Sequence, residues 1–344
     1  MSSQSLNQES VVQRLARTRA LMEQNGIYAL LVPSADPHLS EYLPAYWQGR
    51  QWLSGFHGSV GTLIVTPTFA GVWADSRYWE QAYKELADST IELVKLQPGQ
   101  PGPLDWLAEQ SPAGSTVSVD GAVFALASAR TLESKLKERG AILRTDIDVL
   151  NLVWVDRPVL PTQPVYEHLP PQATVSRVEK LAKLRETLKL RNANAHFIAT
   201  LDDIAWLFNL RGSDVSFNPI FVSFALIESA QATLFVDVNK VSAELQAALL
   251  RDGVKLRQYA EINPALAALP VSTRLLVDPA RVTCGLLNHV SPEVKLVEGL
   301  NPTTLAKSQK SLDDAFHVRQ AMEQDGAALC EFFAWLETAL GRER

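Results

Sequence analysis

Gly71-Val-Trp-Ala-Asp75 and, about 160 residues later, Leu234-Phe-Val-Asp237 are short apolar runs that each end on an aspartate. A run of this kind reads as a strand covered on both faces of a sheet. Val119-Asp120 and Val277-Asp278 repeat the pattern at a similar offset. Two divergent copies of one α/β domain account for both coincidences, although any two α/β domains can share such an order of elements.

Working outward from the first run, Thr62 to Thr66 and Gly71 to Ala74 form an antiparallel hairpin across a Pro-Thr turn. Upstream, Val11 to Gln24 has helical apolar spacing stopped by Asn25-Gly26, and Tyr28 to Val32 is a strand ended by Pro33. Downstream come a helix over Tyr78 to Ala87, strands at Ile91 to Leu96 and Thr116 to Val119, and a helix around Ala125 to Arg139. Asp156 to Pro164, with Pro170-Pro171 soon after, lacks periodicity and fixes φ repeatedly, as a linker does. The order then restarts: a Leu-rich helix over Val178 to Leu190, a strand at His196 to Thr200, a hairpin from Ile220 to Val236, and strands at Lys255 to Tyr259 and Leu275 to Val277. From Pro302 a long helix runs to Leu340, with Phe316, Phe332, Phe333 and Trp335 on an apolar face that needs a partner. The expected domains are therefore 1–160, 161–301 and 302–344.

The 344 residues, 47% apolar and 20% charged, fit a folded protein of at least two cores. A net charge of −6 without any long Lys/Arg run disfavours nucleic acid as a partner. No apolar stretch approaches the ~20 residues of a membrane span, and Met1 to Ser10 is polar, without the features of a leader. Cys284 and Cys330 alone supply neither a disulfide framework nor a four-thiolate zinc site, so a cytoplasmic location is expected.

Among residues that could carry chemistry, Asp36, His38 and Glu41 are the densest potential ligands, but with Pro37 between them a solvated loop is the expectation. Asp202-Asp203 reads as a helix N-cap, and Arg211 with Asp214 as a pair that fixes a loop around Gly212. The loop Gly55-Phe-His-Gly-Ser-Val-Gly61 lets backbone approach a neighbour closely. A strand rather than a helix follows it, which argues against a nucleophile elbow at Ser59, a reading that labelling by an active-site serine reagent would be needed to support, and against a phosphate loop. His57, His196 and His317 have no acid or thiol nearby in sequence and read as structural; Cys330 reads as a buried small hydrophobe. Asp75-Ser-Arg77 lies where a strand gives way to a helix, the place where an α/β sheet presents side chains to ligands, with an Asp75–Arg77 ion pair as the plainer reading.

Several segments together resemble the Xaa-Pro aminopeptidases, or aminopeptidases P, of the long three-domain cytosolic type. They are Ser40-Glu-Tyr-Leu43, Ser54 to Thr62, Trp73 to Tyr78, Asp156-Arg-Pro158, Asp203-Ile-Ala-Trp-Leu-Phe-Asn-Leu-Arg-Gly-Ser-Asp214, Asn218-Pro219 and His317 to Glu337. The resemblance implies two related creatinase-type N-terminal domains, each a mixed, ribonuclease H-like sheet flanked by helices, followed by the first helix of a pita-bread domain. It also implies peptide substrates with proline in the second position, a homodimer, and two divalent ions, usually manganese, held by two Asp, one His and two Glu of the third domain. The chain stops at Arg344, before such ligands could appear, so no catalytic and no metal-binding residue is expected within it. Its expected role is substrate gating and subunit scaffolding, without activity by itself. Arg77 is the substrate-binding candidate and Asp75 its support; Ser76 stands where the family has glycine, and His57 where it commonly has an acid. The alternative is a binding or regulatory protein that kept the two creatinase-type domains after losing catalysis. The aromatic face of the last helix leads us to expect self-association of the isolated chain.

Overall fold

The computed structural model describes residues 9–342; most of the polar N-terminal stretch and the last two residues of the C-terminal tail lie outside them. The first repeat contains α1 (Val11–Gln24), β1 (Ala29–Pro33), α2 (Gly49–Ser54), β2 (Thr62–Val65), β3 (Ala70–Ala74), α3 (Trp79–Glu85), β4 (Glu92–Lys95), α4 (Pro103–Gln110), β5 (Thr116–Val119), α5 (Leu126–Glu138), β6 (Ile142–Arg144) and α6 (Val149–Val153). The second contains β7 (Tyr166–Glu167), α7 (Arg177–Leu190), β8 (Ala195–Ile198), α8 (Leu201–Phe208), β9 (Leu210–Arg211), β10 (Ser223–Glu228), β11 (Ala232–Val236), α9 (Ala243–Arg251), β12 (Val254–Arg257), α10 (Ile262–Ala267), β13 (Arg274–Val277), α11 (Cys284–Leu287) and β14 (Lys295–Glu298). The helices α12 (Pro302–Ser308) and α13 (Leu312–Ala339) follow.

The two main sheets have six strands each, in the orders β4-β3-β2-β1-β5-β6 and β12-β11-β10-β8-β13-β14. In each, the hairpin pairs antiparallel with itself and with the first long strand, and the remaining pairings are parallel. The repeat is therefore real down to strand direction. It extends to the entry helices, because α1 and α7 both begin with a serine capping box, Ser10 with Gln13 and Ser176 with Glu179. Such a box satisfies amide groups that the first helical turn would leave unpaired. β3 and β11 are buried along their whole length, as their unbroken apolar runs require.

Each sheet is covered on both faces. In the first repeat one core joins Leu15, Met22, Leu53 and Phe56 to Leu63 and Val72, and the other joins Ile64 and Trp73 to Leu107, Leu132 and Leu136. In the second, Leu181, Leu188, Phe208 and Leu249 cover one face, and Phe224, Phe235, Leu266 and Leu286 the other.

The repeats meet across a short antiparallel bridge of Ala125 with Thr283. Leu126 N–H donates to Val282 C=O and Cys284 N–H to Phe124 C=O, both at 2.9 Å. Counted from Asp120 and Asp278, Ala125 and Thr283 are the same position of the two copies, and the two hydrogen bonds are each other's counterparts. A local two-fold axis thus passes through the bridge. Gly285 packs here so closely that an added Cβ would lie 2.6 Å from the Gly121 carbonyl carbon.

Helix α13 is 28 residues long, and only Ala339 of it is buried. Phe316, Phe332, Phe333 and Trp335 are about half exposed. Cys330, expected inside, is exposed, like nearly all of the helix that carries it.

Candidate functional site

At the end of β3, Asp75 takes the extended backbone of a cap and accepts the Arg77 N–H at 3.0 Å. Its carboxylate also grips the guanidinium in a fork, Oδ1 on Nε at 3.0 Å and Oδ2 on Nη2 at 2.9 Å. The hydrogen bonds from Arg77 hold the Asp75 carboxyl below the usual carboxylate range. The Arg77 side chain is two-thirds exposed, and its Nη1 has no partner among the described residues. The guanidinium lies 5.3 Å from the Tyr78 ring centre, and the Tyr78 hydroxyl bonds Ser59 Oγ at 2.7 Å.

Ser59 belongs to the glycine loop, which turns out to be pinned from below by Arg50. That buried guanidinium donates to Phe56 C=O at 2.7 Å, to Gly58 C=O, and to Ser34 Oγ at 2.8 Å. Burial lowers its pKa to about 10. Gly58 could not be replaced without moving Phe56, because an added Cβ would stand 2.3 Å from that ring. His57 is exposed, and Glu85 accepts its backbone N–H at 2.8 Å and faces its Nδ1 at 3.5 Å. The histidine thus has an acid partner that sequence proximity did not reveal.

Above this loop lies a cleft of about 730 Å³ between the repeats. Glu41, Arg50, His57 and Ser59 line one wall, and Ser216, Phe217 and Asn218 of the second repeat close the other. Phe217 has φ of +60° and a fully exposed ring, an unfavourable backbone state for a bulky residue. Arg77 does not itself line this cleft; its link to the wall is Tyr78, which it neighbours and whose hydroxyl bonds Ser59.

Several residues singled out in the sequence have different places from those expected. Asp36 and His38 are buried, not solvated, and only Glu41 is exposed. Asp36 Oδ1 accepts the N–H groups of His38 and Ser40, both at 2.9 Å. His38 reaches into the second repeat, with Nδ1 2.9 Å from Ala199 C=O and Nε2 2.9 Å from the Tyr259 hydroxyl. A carbonyl only accepts, so Nδ1 carries the proton and Nε2 accepts from Tyr259. Burial pushes the His38 pKa down and the Tyr259 pKa well up, which keeps both neutral.

Asp203 is not an N-cap; Thr200 holds that position, and Asp203 lies within the first turn of α8. Asp203 Oδ2 accepts from Thr200 Oγ1 at 2.7 Å, Asn301 Nδ2 at 2.9 Å and Thr304 Oγ1 at 2.9 Å. Burial raises its pKa. Asn301, overlooked in the sequence, is the hub of this network, since it also faces His196 Nε2 at 2.9 Å. Arg211 and Asp214 do not pair. Arg211 donates to Ala205 and Leu210 carbonyls, while Asp214 forms a buried ion pair with Lys240 and accepts Val222 N–H at 2.6 Å.

His196 is structural at both ring nitrogens, bonded to Leu276 C=O and Asn301. A dinuclear metal centre needs a cluster of carboxylate and imidazole donors. The described residues contain no group of three or more His, Cys, Asp or Glu side chains placed to hold an ion, so they do not fit that centre. No helix among them is long and apolar enough to cross a membrane.

Comparison with known proteins agrees with this architecture. Two family models, both describing the Creatinase/Prolidase N-terminal domain, match residues 14–159 and 156–313. The chain is 36% identical to a probable Xaa-Pro aminopeptidase P of Botryotinia fuckeliana over 97% of its length and 53% of that protein's. It is 37% identical to one of Aspergillus fumigatus, over 96% of its length and 52% of the relative's. Its backbone superposes on the crystal structure of X-prolyl aminopeptidase from Caenorhabditis elegans, described as a cytosolic enzyme with a di-nuclear active site, with a TM-score of 0.91. That match has 28% identity and covers 98% of this chain and 57% of the other. The chain thus spans about half the length of the relatives it matches. With its two mixed-sheet repeats, the chain belongs to the creatinase/prolidase N-terminal domain family, of which it carries two copies in tandem, and with the long helix that follows it is similar to the N-terminal half of Xaa-Pro aminopeptidases.

Proposed function

We infer that the chain forms the non-catalytic, N-terminal part of a cytoplasmic Xaa-Pro aminopeptidase that removes the first residue from peptides with proline in second position. In this reading residues 1–160 and 161–301 are the two creatinase-type domains, and 302–344 opens the catalytic domain. The observation that carries it is the likeness to X-prolyl aminopeptidase over 98% of the chain, α13 included. The nearly polar-free stretch Ala327 to Leu336 supports it, because a helix apolar around most of its circumference is normally an interior one. Two divalent ions, manganese by family expectation, would be held outside these residues and would supply the hydrolytic chemistry. The role left to these domains is to gate substrate and scaffold a homodimer.

Arg77 is the residue of this chain proposed to touch substrate. Asp75 occupies Nε and one edge of Nη2, which orients the guanidinium and leaves Nη1 to donate to a peptide carbonyl or carboxylate. In the complete enzyme, Arg77→Ala should raise KM roughly tenfold for longer Xaa-Pro peptides, equivalent to about 1.4 kcal/mol, and much less for dipeptides. Equal effects on both substrate lengths would reject the role. A binding or regulatory protein built from the same domains is the second reading, and manganese-dependent cleavage of an Xaa-Pro peptide by the complete protein separates the two.

A further inference from the structure

Helices α7, α8 and α12 and the first turn of α13 enclose a second cavity, of about 450 Å³, in the second repeat. Lys180, Lys183, Arg211, Lys310 and His168 line it, against a single carboxylate, Asp314. Asp314 is already committed, because its Oδ2 accepts both the N–H and the Oγ–H of Ser311. Among the described residues, no carboxylate lies within ion-pair distance of Lys180, Lys183, Arg211 or Lys310. This concentration of positive charge sits in a chain whose net charge is −6.

The two innermost cations are satisfied only by neutral groups. Lys180 donates to Trp206 C=O at 2.8 Å and to Asn209 Oδ1 at 2.5 Å. Arg211 donates to the Ala205 and Leu210 carbonyls at 2.9 and 2.8 Å. Burial, with Arg211 adding repulsion, lowers the Lys180 pKa to about 8. Burying charge without a counter-charge is costly, and an anion entering the cavity would relieve the cost at both groups. Lys183 and Lys310 are exposed and flank the cavity as point charges able to bind phosphate oxygens, with Lys310 Nζ also donating to the Lys307 carbonyl at 2.7 Å. Four cations against the one carboxylate of Asp314 leave an excess of three positive charges, which calls for a multiply charged ligand. The volume lies in the range of small-ligand sites.

We propose that the cavity between α7, α8, α12 and α13 binds a small polyanion bearing phosphate groups. The site lies in the second repeat and Arg77 in the first, so binding of the probe and cleavage of an Xaa-Pro peptide are read by separate assays. The test is isothermal titration of the chain with inorganic tripolyphosphate at about 0.15 M salt, where non-specific surface attraction is largely screened. Saturable one-to-one binding is expected, weakened at least tenfold in the exposed double variant Lys183→Gln/Lys310→Gln and again in Lys180→Met. Circular dichroism of each variant distinguishes lost binding from lost folding. Absence of saturable binding, or equal affinity in the folded double variant, would overturn the proposal.

Discussion

After β3 the first repeat turns through Asp75-Ser-Arg77, and after β11 the second turns through Asp237-Val-Asn239. Both aspartates accept the backbone N–H two residues on, at 3.0 and 3.1 Å. They differ in what the third residue carries. Both side chains return to their own aspartate, Arg77 through Nε and Nη2 and Asn239 through its amide at 2.9 Å, but Arg77 brings a charged, two-thirds exposed guanidinium where Asn239 brings a neutral group. The recurring aspartate therefore belongs to the fold, and at this turn only the first repeat carries a cation, the one proposed above to touch substrate. Asp120 and Asp278 divide similarly. Each accepts the N–H of the alanine two residues on, but Asp278 also accepts Asn301 N–H at 3.1 Å. Asp120 lacks that second donor, and burial, reinforced by Asp148, raises its pKa to about 6.

The strongest way to break this correspondence is at the local two-fold. Gly285 and Ala127 are equivalent positions, yet only Gly285 lies against backbone of the other repeat too closely for a Cβ. Gly285→Ala should cost about 3 kcal/mol or more by overpacking and separate the melting of the two repeats. Differential scanning calorimetry reads both effects, and a single unchanged transition would refute the close fit.

A smaller effect is expected at His38. Its folded pKa lies below the unfolded value of 6.5, so the unfolded chain takes up the proton first as pH falls. Stability contributed by this group is complete above 6.5 and is lost progressively below it. His38→Asn should cost about 2 kcal/mol at pH 7.5, by leaving Ala199 C=O and the Tyr259 hydroxyl poorly partnered. It should also flatten the acid side of the pH–stability curve; urea titrations at pH 7.5 and 5.5 measure both changes, and an unaltered slope would exclude His38 as the titrating group.

The smallest effect, of opposite sign, belongs to Asp120. Its folded pKa exceeds the unfolded value of 3.8, so stability is lost as pH rises from there through about 6. Asp120→Asn keeps the acceptor for Ala122 and should gain about 1 kcal/mol at pH 7.5, with the gain vanishing by pH 4. The same change at Asp278 should not stabilise, because that carboxylate has its second donor. Chemical denaturation of both variants decides whether the two aspartates are as unlike as their partners.

The repeat and most central strands were legible because apolar runs such as Gly71 to Ala74 and Leu234 to Val236 are buried on both faces and leave an unbroken signal. The edge strands β6 and β14 were not, since Ile142 and Lys295 are exposed and their segments are too short to show alternation. Helix α4 was hidden for another reason: it has only eight residues, and although Leu104, Leu107 and Ala108 are helically spaced, the preceding Pro101-Gly102-Pro103 reads as loop until Asp105 is seen to reach back to the Gly102 N–H. At the site, Asp75 with Arg77 could be read locally because they are two residues apart. His38 with Tyr259, Asp203 with Asn301 and Lys240 with Asp214 could not, because each pairing depends on how distant segments close together.

The bridge between Ala125 and Thr283 has one further consequence. Its two hydrogen bonds run from main chain to main chain, so the bridging residues can differ between the halves without losing them, Gly285 being the exception because no Cβ fits there. Such a hinge-less seam lets one half acquire new recognition chemistry and the other a new buried network without either having to relearn where its twin stands.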